Sequence, residues 1–167
     1  LLLNLIIMKR CDWCNSEQVY INYHDNEWGI PLYNDKALFE LLILELFQAG
    51  LSWITILKKR ENFRKAFDDF NYKKISMYNE KKIQSLLNDA GIIRNRKKIE
   101  AAIIIARDFD KVKKEYKFFS NFIWQFAPKK KIKSNYKSLK DLPVISKESE
   151  TMSKEFKKRG YTFLGPV

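Results

Sequence analysis

One histidine and two cysteines in 167 residues leave little room for several chemistries. Any Ser/His/Asp arrangement would have to use His24, and no Gly-x-Ser-x-Gly segment supplies a nucleophile to pair with it. There is no glycine-rich phosphate loop and no His-Glu-x-x-His pair, so the common nucleotide-loop and zinc-hydrolase patterns are excluded. Cys11 and Cys14 are too close and too few for a disulfide framework, which sets a reducing, cytoplasmic compartment as the expectation. Long apolar runs are also missing. The opening Leu1–Ile7 stretch is apolar but only seven residues long and follows no basic region, so it is neither a signal peptide nor a membrane span, and no membrane partner is expected. Met8-Lys9-Arg10 reads as a natural start. Residues 1–7 are therefore taken as upstream read-through and 8–167 as the domain. At the other end Gly165-Pro166-Val167 breaks off directly after an aromatic-rich Gly160–Leu164 segment, like an interrupted chain. No alternating strand pattern and no internal repeat occur, which leaves an all-α class.

What the chain has in excess is positive charge: 32 Lys and Arg against 20 Asp and Glu, a net +12 and a pI near 9.6. Such a surface favours polyanions, nucleic acid ahead of an acidic membrane. A generally lysine-rich composition is the plainer alternative. The length suits one domain with a sizeable core.

The densest apolar stretch runs from Leu38 to Trp53. Leu38–Phe47 holds eight apolar residues and two charges, Glu40 and Glu45, in good helix formers, with Asp35 upstream as the expected N-cap. Apolar residues lie all round this helix, so it is expected to be buried on most sides. The two glutamates are about 140° apart around the axis and cannot share a face. One is expected to reach solvent and the other to sit inside, where an unpaired carboxylate costs several kcal/mol and so has a partner or a task. Glu45 lies near the helix end beside Gly50, a place for a pocket; an acid paired with Lys or Arg is the alternative.

Around that stretch the sequence predicts further helices. The first runs from about Glu17 to Glu27, capped by Asn15 or Ser16, and places Tyr20, Tyr23, His24 and Glu27 on one face. Ser52 caps a helix that runs to about Asp69, and another spans Asn79–Asn88. After the break at Asp89-Ala90-Gly91, a long helix runs from Asn95 to Tyr116 and opens with Arg94, Arg96, Lys97 and Lys98. Two helices joined by a glycine hairpin, the second with free N–H groups and basic residues at its start, form an anion site that suits a phosphate. An ordinary αα-turn with a basic surface is the alternative. An aromatic helix from Phe118 to Ala127, a Lys-rich loop over 128–143 and a last helix from Ser149 to Arg159 complete the chain.

Trp13, Tyr20, Tyr23 and Trp53 flank short turns and can each present a ring face near Glu45. Aromatic faces around one carboxylate suit a flat, cationic ligand, since stacking and cation–π attraction contribute about 1–2 kcal/mol per desolvated ring. A methylated purine fits that description, and core packing is the alternative for any single ring. Cys11, Cys14 and His24 supply three metal-ligating side chains at most, one short of a closed zinc site.

Several blocks in one order resemble the DNA-3-methyladenine glycosylase I family: Cys11-Asp12-Trp13, Tyr23–Gly29, Gln48–Thr55, Leu57–Asn62, Asp89–Arg94 and Lys157–Gly160. The resemblance runs from about Met8 to Gly165. It implies a helix-hairpin-helix glycosylase bundle that excises 3-methyladenine from alkylated double-stranded DNA by flipping the base into a pocket. Free 3-methyladenine would be the product and the enzyme a monomer. It implies Glu45 as the acid that recognises the base, and Trp13, Tyr20, Tyr23 and Trp53 as aromatic walls. Gln48, Gly50 and Leu51 would fill the gap in the duplex, and Gly91 with Arg94, Arg96 and Lys97 would hold the backbone. An N3-methylated base is already cationic and leaves readily, so no strong acid is required. The aspartate that related families place after the hairpin has no equivalent here, and Asp108 and Asp110 are not assigned to it. The family also binds structural zinc through two residue pairs. Cys11 and His24 match the first pair; the second, with the family's last helix, would lie beyond Val167, leaving half a zinc site with Cys14 as a substitute third ligand. Phe47 stands where some members carry a second Gln. Two other readings stay open: a non-catalytic or impaired DNA-binding protein, and a helix-turn-helix regulator, which would not need an acidic aromatic pocket.

Overall fold

The computed structural model describes residues 10–14, 17–128, 136 and 141–167. Among them lie eight α-helices and no strand: α1 Gln18–Asn26, α2 Asp35–Gln48, α3 Trp53–Ala66, α4 Tyr72–Ser76, α5 Glu80–Asn88, α6 Arg96–Tyr116, α7 Phe119–Trp124 and α8 Lys147–Lys158. The all-α class is confirmed. No helix among the described residues is long and apolar enough to cross a membrane.

α2 is the hub, as its composition demands. Leu38, Phe39, Leu42, Ile43, Leu44, Leu46 and Phe47 are all buried in one core with Ile56 and Phe63 of α3, Ile99, Ile103 and Phe109 of α6, Phe119 and Phe122 of α7, and Phe156 of α8. Its cap differs from the expectation. Asn34 is the N-cap, accepting from Ala37 N at 3.0 Å, while Asp35 is the first helical residue. The Asp35 carboxylate instead accepts from Ser120 N at 3.0 Å and so binds α7 to α2. Asn79 and Asn95 cap α5 and α6 in the same way, through Lys82 N (3.1 Å) and Lys98 N (3.2 Å). The alternatives Asn15 and Ser16 for α1 lie outside the described residues; Glu17 holds the N-cap position.

The helix expected to reach Asp69 stops at Ala66. Asp68, Asp69 and Phe70 follow with φ between 50° and 54°, a left-handed turn that side chains rarely adopt. Neighbours hold it in place: Asp68 Oδ2 accepts from the Tyr78 hydroxyl at 2.5 Å, and Phe70 is buried. α4, which the sequence did not predict, follows at once, capped by Asn71.

Candidate active site

Four stretches of chain converge beside the end of α2. Glu45 sits one turn before that end, Trp53 opens α3, Tyr20 and Tyr23 lie one turn apart on α1, and Trp13 comes from the segment before α1. Together with Trp28, Gln48 and Val167 they line a cavity of about 340 Å³. All five residues expected around a base are therefore gathered in one place. The rings pack at an angle rather than flat: Trp13 to Tyr20 is tilted at 5.0 Å, and Trp13 to Trp28 at 5.3 Å and Tyr23 to Trp53 at 5.4 Å between centroids meet edge to face. Trp28 was not singled out from the sequence, although it belongs to the Tyr23–Gly29 block. It stacks on His24 at 5.5 Å and adds a wall to the cavity.

The two glutamates of α2 divide as expected, one inside and one reaching water. The carboxylate withdrawn from solvent is Glu40, 7% exposed. It is paired, accepting from Arg60 Nε at 2.6 Å and from Arg64 at 2.7 and 3.1 Å. Glu45 is the one water reaches, through the cavity mouth, but protein encloses it on most other sides, and that burial raises its pKa above the ordinary glutamate value. No cation contributes to the shift. Tyr23 is pushed up to about 12, first by burial and then by the charges of Glu45 and Glu27, so its hydroxyl keeps its proton. Trp53 Nε1 approaches that hydroxyl but completes no hydrogen bond, leaving a buried donor without a partner in the cavity wall.

Arg60 links the site's walls. Besides Glu40 on α2 it donates to both oxygens of Glu27, at 2.8 and 2.7 Å, where α1 ends. α1 has no fully buried residue, so this bridge and the ring contacts hold Tyr20 and Tyr23 in register.

Beyond Gln48 the chain turns tightly. Leu51 N donates to Gln48 O and the Gln48 side-chain amide donates to Leu51 O, both at 2.7 Å. Gly50 has φ of 78°, which an L side chain resists, and Leu51 projects 37% exposed at the tip. Ser52 occupies the N-cap of α3, but its hydroxyl pairs with that of Thr55 at 2.7 Å rather than with a backbone N–H. Phe47 lies in the core against Phe63 and Phe67, away from this turn.

The hairpin between α5 and α6 is as compact as expected. Gly91 N donates to Asp89 Oδ1 at 2.7 Å, and a Cβ at Gly91 would meet that oxygen at 2.9 Å and Asn62 at 3.2 Å. Lys59 of α3 donates to the carbonyls of Ala90 (3.0 Å) and Gly91 (3.3 Å). Of the basic residues there, Arg94 and Lys97 are exposed, with no ion pair among the described residues. Arg96 is already engaged by Glu80 and Glu100. Lys98, expected on the same basic surface, is instead buried. Asp108 and Asp110 are held elsewhere, by Arg159 with Tyr161 and by Tyr72 respectively.

Cys11 and His24 stand side by side: Cys11 N donates to His24 Nε2 at 3.3 Å, while Nδ1 faces Asp25 Oδ1 at 2.9 Å. A carboxylate on Nδ1 is the usual support of a metal-binding imidazole. Asp25 is itself held down to about 2, first by its hydrogen bond from Arg10 and then by that from His24. The donor set falls short, however. Among the described residues no three of His, Cys, Asp or Glu are grouped to share an ion, so Cys14 does not become a third ligand and a closed zinc site is not formed.

A larger cavity, about 630 Å³, lies between α2, the left-handed turn, α4 and α6. Its acids are all partnered, Asp35 by Ser120 N, Asp68 by Tyr78 and Asp69 by Lys36, so it lacks the free carboxylate that distinguishes the aromatic site.

The sequence profile of the methyladenine glycosylase family matches residues 13–167. The DNA-3-methyladenine glycosylase 1 of Escherichia coli is 43% identical over 158 residues, covering 95% of this chain and 84% of that protein. A crystal structure of a 3-methyladenine DNA glycosylase I superposes with a TM-score of 0.90 at 42% identity, covering 95% of this chain and 87% of the other. The Staphylococcus aureus enzyme, solved to define 3-methyladenine recognition, gives 0.88 at 40% identity, covering 95% and 85%. With the profile matching residues 13–167, a relative 43% identical over 95% of this chain and the same helical fold, this protein belongs to the methyladenine glycosylase family.

Proposed function

We propose that the chain is a DNA glycosylase that flips 3-methyladenine out of alkylated duplex DNA and releases it by hydrolysis. The observation that carries the reading is Glu45, a carboxylate that lines the aromatic cavity, open to water at its mouth, with no cation contributing to its raised pKa. An uncompensated negative charge in such a cavity is costly until a cation enters. N3-methylation makes adenine that cation. Its flat ring can pack against Trp13, Tyr20, Tyr23 or Trp53, its amino group can donate to Glu45, and a charge-assisted bond of this kind is about twice as strong as a neutral one.

The same charge explains how so sparse a site performs the reaction. A cationic base departs from its sugar as a neutral molecule, so no protein acid has to protonate it. The chain's task is to take the nucleotide out of the stack, as DNA glycosylases do as a class, and to hold the base where water can reach the sugar carbon. Glu45 favours the cationic damaged base over neutral adenine. Gln48 lines the cavity, and with Gly50 and Leu51 in the turn it closes it is suited to occupy the gap left in the duplex. The hairpin at Gly91, with Arg94 and Lys97 available, suits a backbone phosphate. The monomer acting in the cytoplasm remains part of this reading. So does zinc at Cys11 and His24, which would need two further donors to complete a tetrahedron and would then fix the segment carrying Trp13.

The test is chromatographic detection of free 3-methyladenine after incubation with methylated duplex DNA. Release that grows with time and protein concentration is expected. A folded chain that binds duplex DNA and releases no base would overturn the reading in favour of a DNA-binding protein without catalysis.

A further inference from the structure

Lys98 is 5% exposed, and its ammonium leaves α6 altogether. It crosses to the end of α2 and donates to Phe47 O at 2.8 Å and Ala49 O at 2.6 Å. These carbonyls belong to the helix end, where intrahelical donors run out, and a cation there also offsets the negative end of the helix dipole. Its remaining side faces the Phe163 ring, 5.7 Å from the centroid. Burial lowers the lysine's pKa, the mark of a charge held where water solvates it poorly.

The position matters more than the bond count. The two carbonyls bracket Gln48, whose backbone and side chain close the turn that projects Leu51. The backbone of Lys98 sits in the first turn of α6, where its own N–H is fixed by the Asn95 cap at 3.2 Å. One residue thus has its N–H in the cap of the hairpin helix and its ammonium in the turn at the cavity's edge.

We propose that Lys98 is a positioning residue that couples engagement of the DNA backbone at the hairpin to insertion of the Gln48–Leu51 turn into the duplex. The inference rests on the glycosylase reading above and adds a residue and a linkage to it. A base free in solution needs only the cavity. A base still in DNA needs the turn held rigidly against the strand while the hairpin grips the phosphate, and the ammonium bridge supplies that rigidity.

The experiment compares the full chain with Lys98→Met, Leu51→Ala and the double variant, after circular dichroism has shown each to be folded. Binding of free 3-methyladenine, followed by tryptophan fluorescence, is expected to stay within about threefold in Lys98→Met. Single-turnover release from methylated duplex is expected to fall about tenfold or more, and Lys98→Arg, which keeps two donors and the charge, to recover part of it. In the Leu51→Ala background the same lysine change should cost less than about threefold, because the turn's insertion is already lost. Three results would each overturn the proposal: unchanged release, losses that multiply in the double variant, or free-base binding that falls in step with release. Should Lys98→Met not fold, Lys98→Gln, whose amide still donates to one carbonyl, is read by the same criteria. A parent chain that binds free base but releases none from DNA refutes the underlying reading, and the linkage with it; a parent that turns over, with losses that multiply in the double variant, refutes only the role of Lys98.

Discussion

Replacing Glu45 by Gln should separate what the acid does for recognition from what it costs the fold. The change keeps the side chain's shape and removes its charge. No cation contributes to the acid's raised pKa, so the partner that a bound methylated base would lose is the carboxylate itself. A hydrogen bond to a charged group contributes about 1.5–3 kcal/mol, which corresponds to roughly 10- to 150-fold in binding. Water enters through the cavity mouth and screens part of that, so the lower end, about 10- to 30-fold, is expected. The effect on stability has the opposite sign. Burial raises the carboxyl pKa, so the folded chain binds the proton more tightly than the unfolded chain does. The stability contributed by the protonated form is complete below the ordinary value of 4.5 and is lost as pH rises through the raised one. The Gln variant does not suffer that loss. Its melting temperature should therefore rise relative to the parent's as pH increases above the ordinary carboxyl value of 4.5. Base affinity by fluorescence titration and melting by calorimetry, on the same two proteins, test both signs. Equal base affinity would remove Glu45 from recognition, and a lower melting temperature at neutral pH would show that the carboxylate has a stabilising partner after all.

Other perturbations read the parts around the cavity. Glu40→Ala removes the buried partner that Arg60 and Arg64 share and leaves them only the exposed Glu27 and Glu61; it should cost roughly 2–3 kcal/mol, less than a fully buried pair because Arg64 is partly exposed. Calorimetry should show a fall of about 4–12 °C, and an unchanged melting point would mean the pair contributes nothing net. Arg94→Ala should lower the salt dependence of DNA binding by about one phosphate contact, a slope change near 0.9. Arg96→Ala should change it less, because Glu80 and Glu100 already hold that guanidinium; equal slopes would contradict the assignment. Gly50→Ala adds a Cβ that meets no atom within 4 Å, so its cost is the backbone strain at φ 78°, about 1–2 kcal/mol, read as lower stability and slower release from DNA.

The helices were legible because their periodicity and caps are local. Asn79 and Asn95 each sit before an amphipathic run, and the structure uses both as caps. Asp35 misled because two capping residues adjoin, and only the distant Ser120 N–H decides which carboxylate or amide is free to cap. The turn at Asp68–Phe70 left only a weak local signal: aspartate visits the left-handed region more often than most side chains, but phenylalanine does not, and the partner of Asp68 is Tyr78, ten positions on. At the site, the aromatic residues were found through their blocks, and Trp28 was overlooked within one of them. The assignment of burial between Glu40 and Glu45 could not be read from angular separation. It depends on which face α3 covers, and α3 brings Arg60 and Arg64 to Glu40 alone.

That division has an electrostatic consequence for the whole molecule. With 32 Lys and Arg, any acid on this chain is at risk of being neutralised by a neighbour, and a neutralised Glu45 would lose its preference for a cationic base. The structure keeps the cations around the site occupied elsewhere. Arg60 is held by Glu27 and Glu40, Arg64 by Glu40 and Glu61, Lys59 by the hairpin carbonyls and Lys98 by the end of α2. A basic exterior can then attract the polyanion from a distance while a negative cavity selects the cation within it. The two fields work together because screening limits exterior charges to about a Debye length, roughly 8–10 Å, whereas a charge partly withdrawn into a cavity is screened less. A protein that relied on net charge alone would bind DNA and ignore the lesion. One that let a free lysine reach Glu45 would bind DNA equally well and lose the means of telling the methylated base from its neighbours.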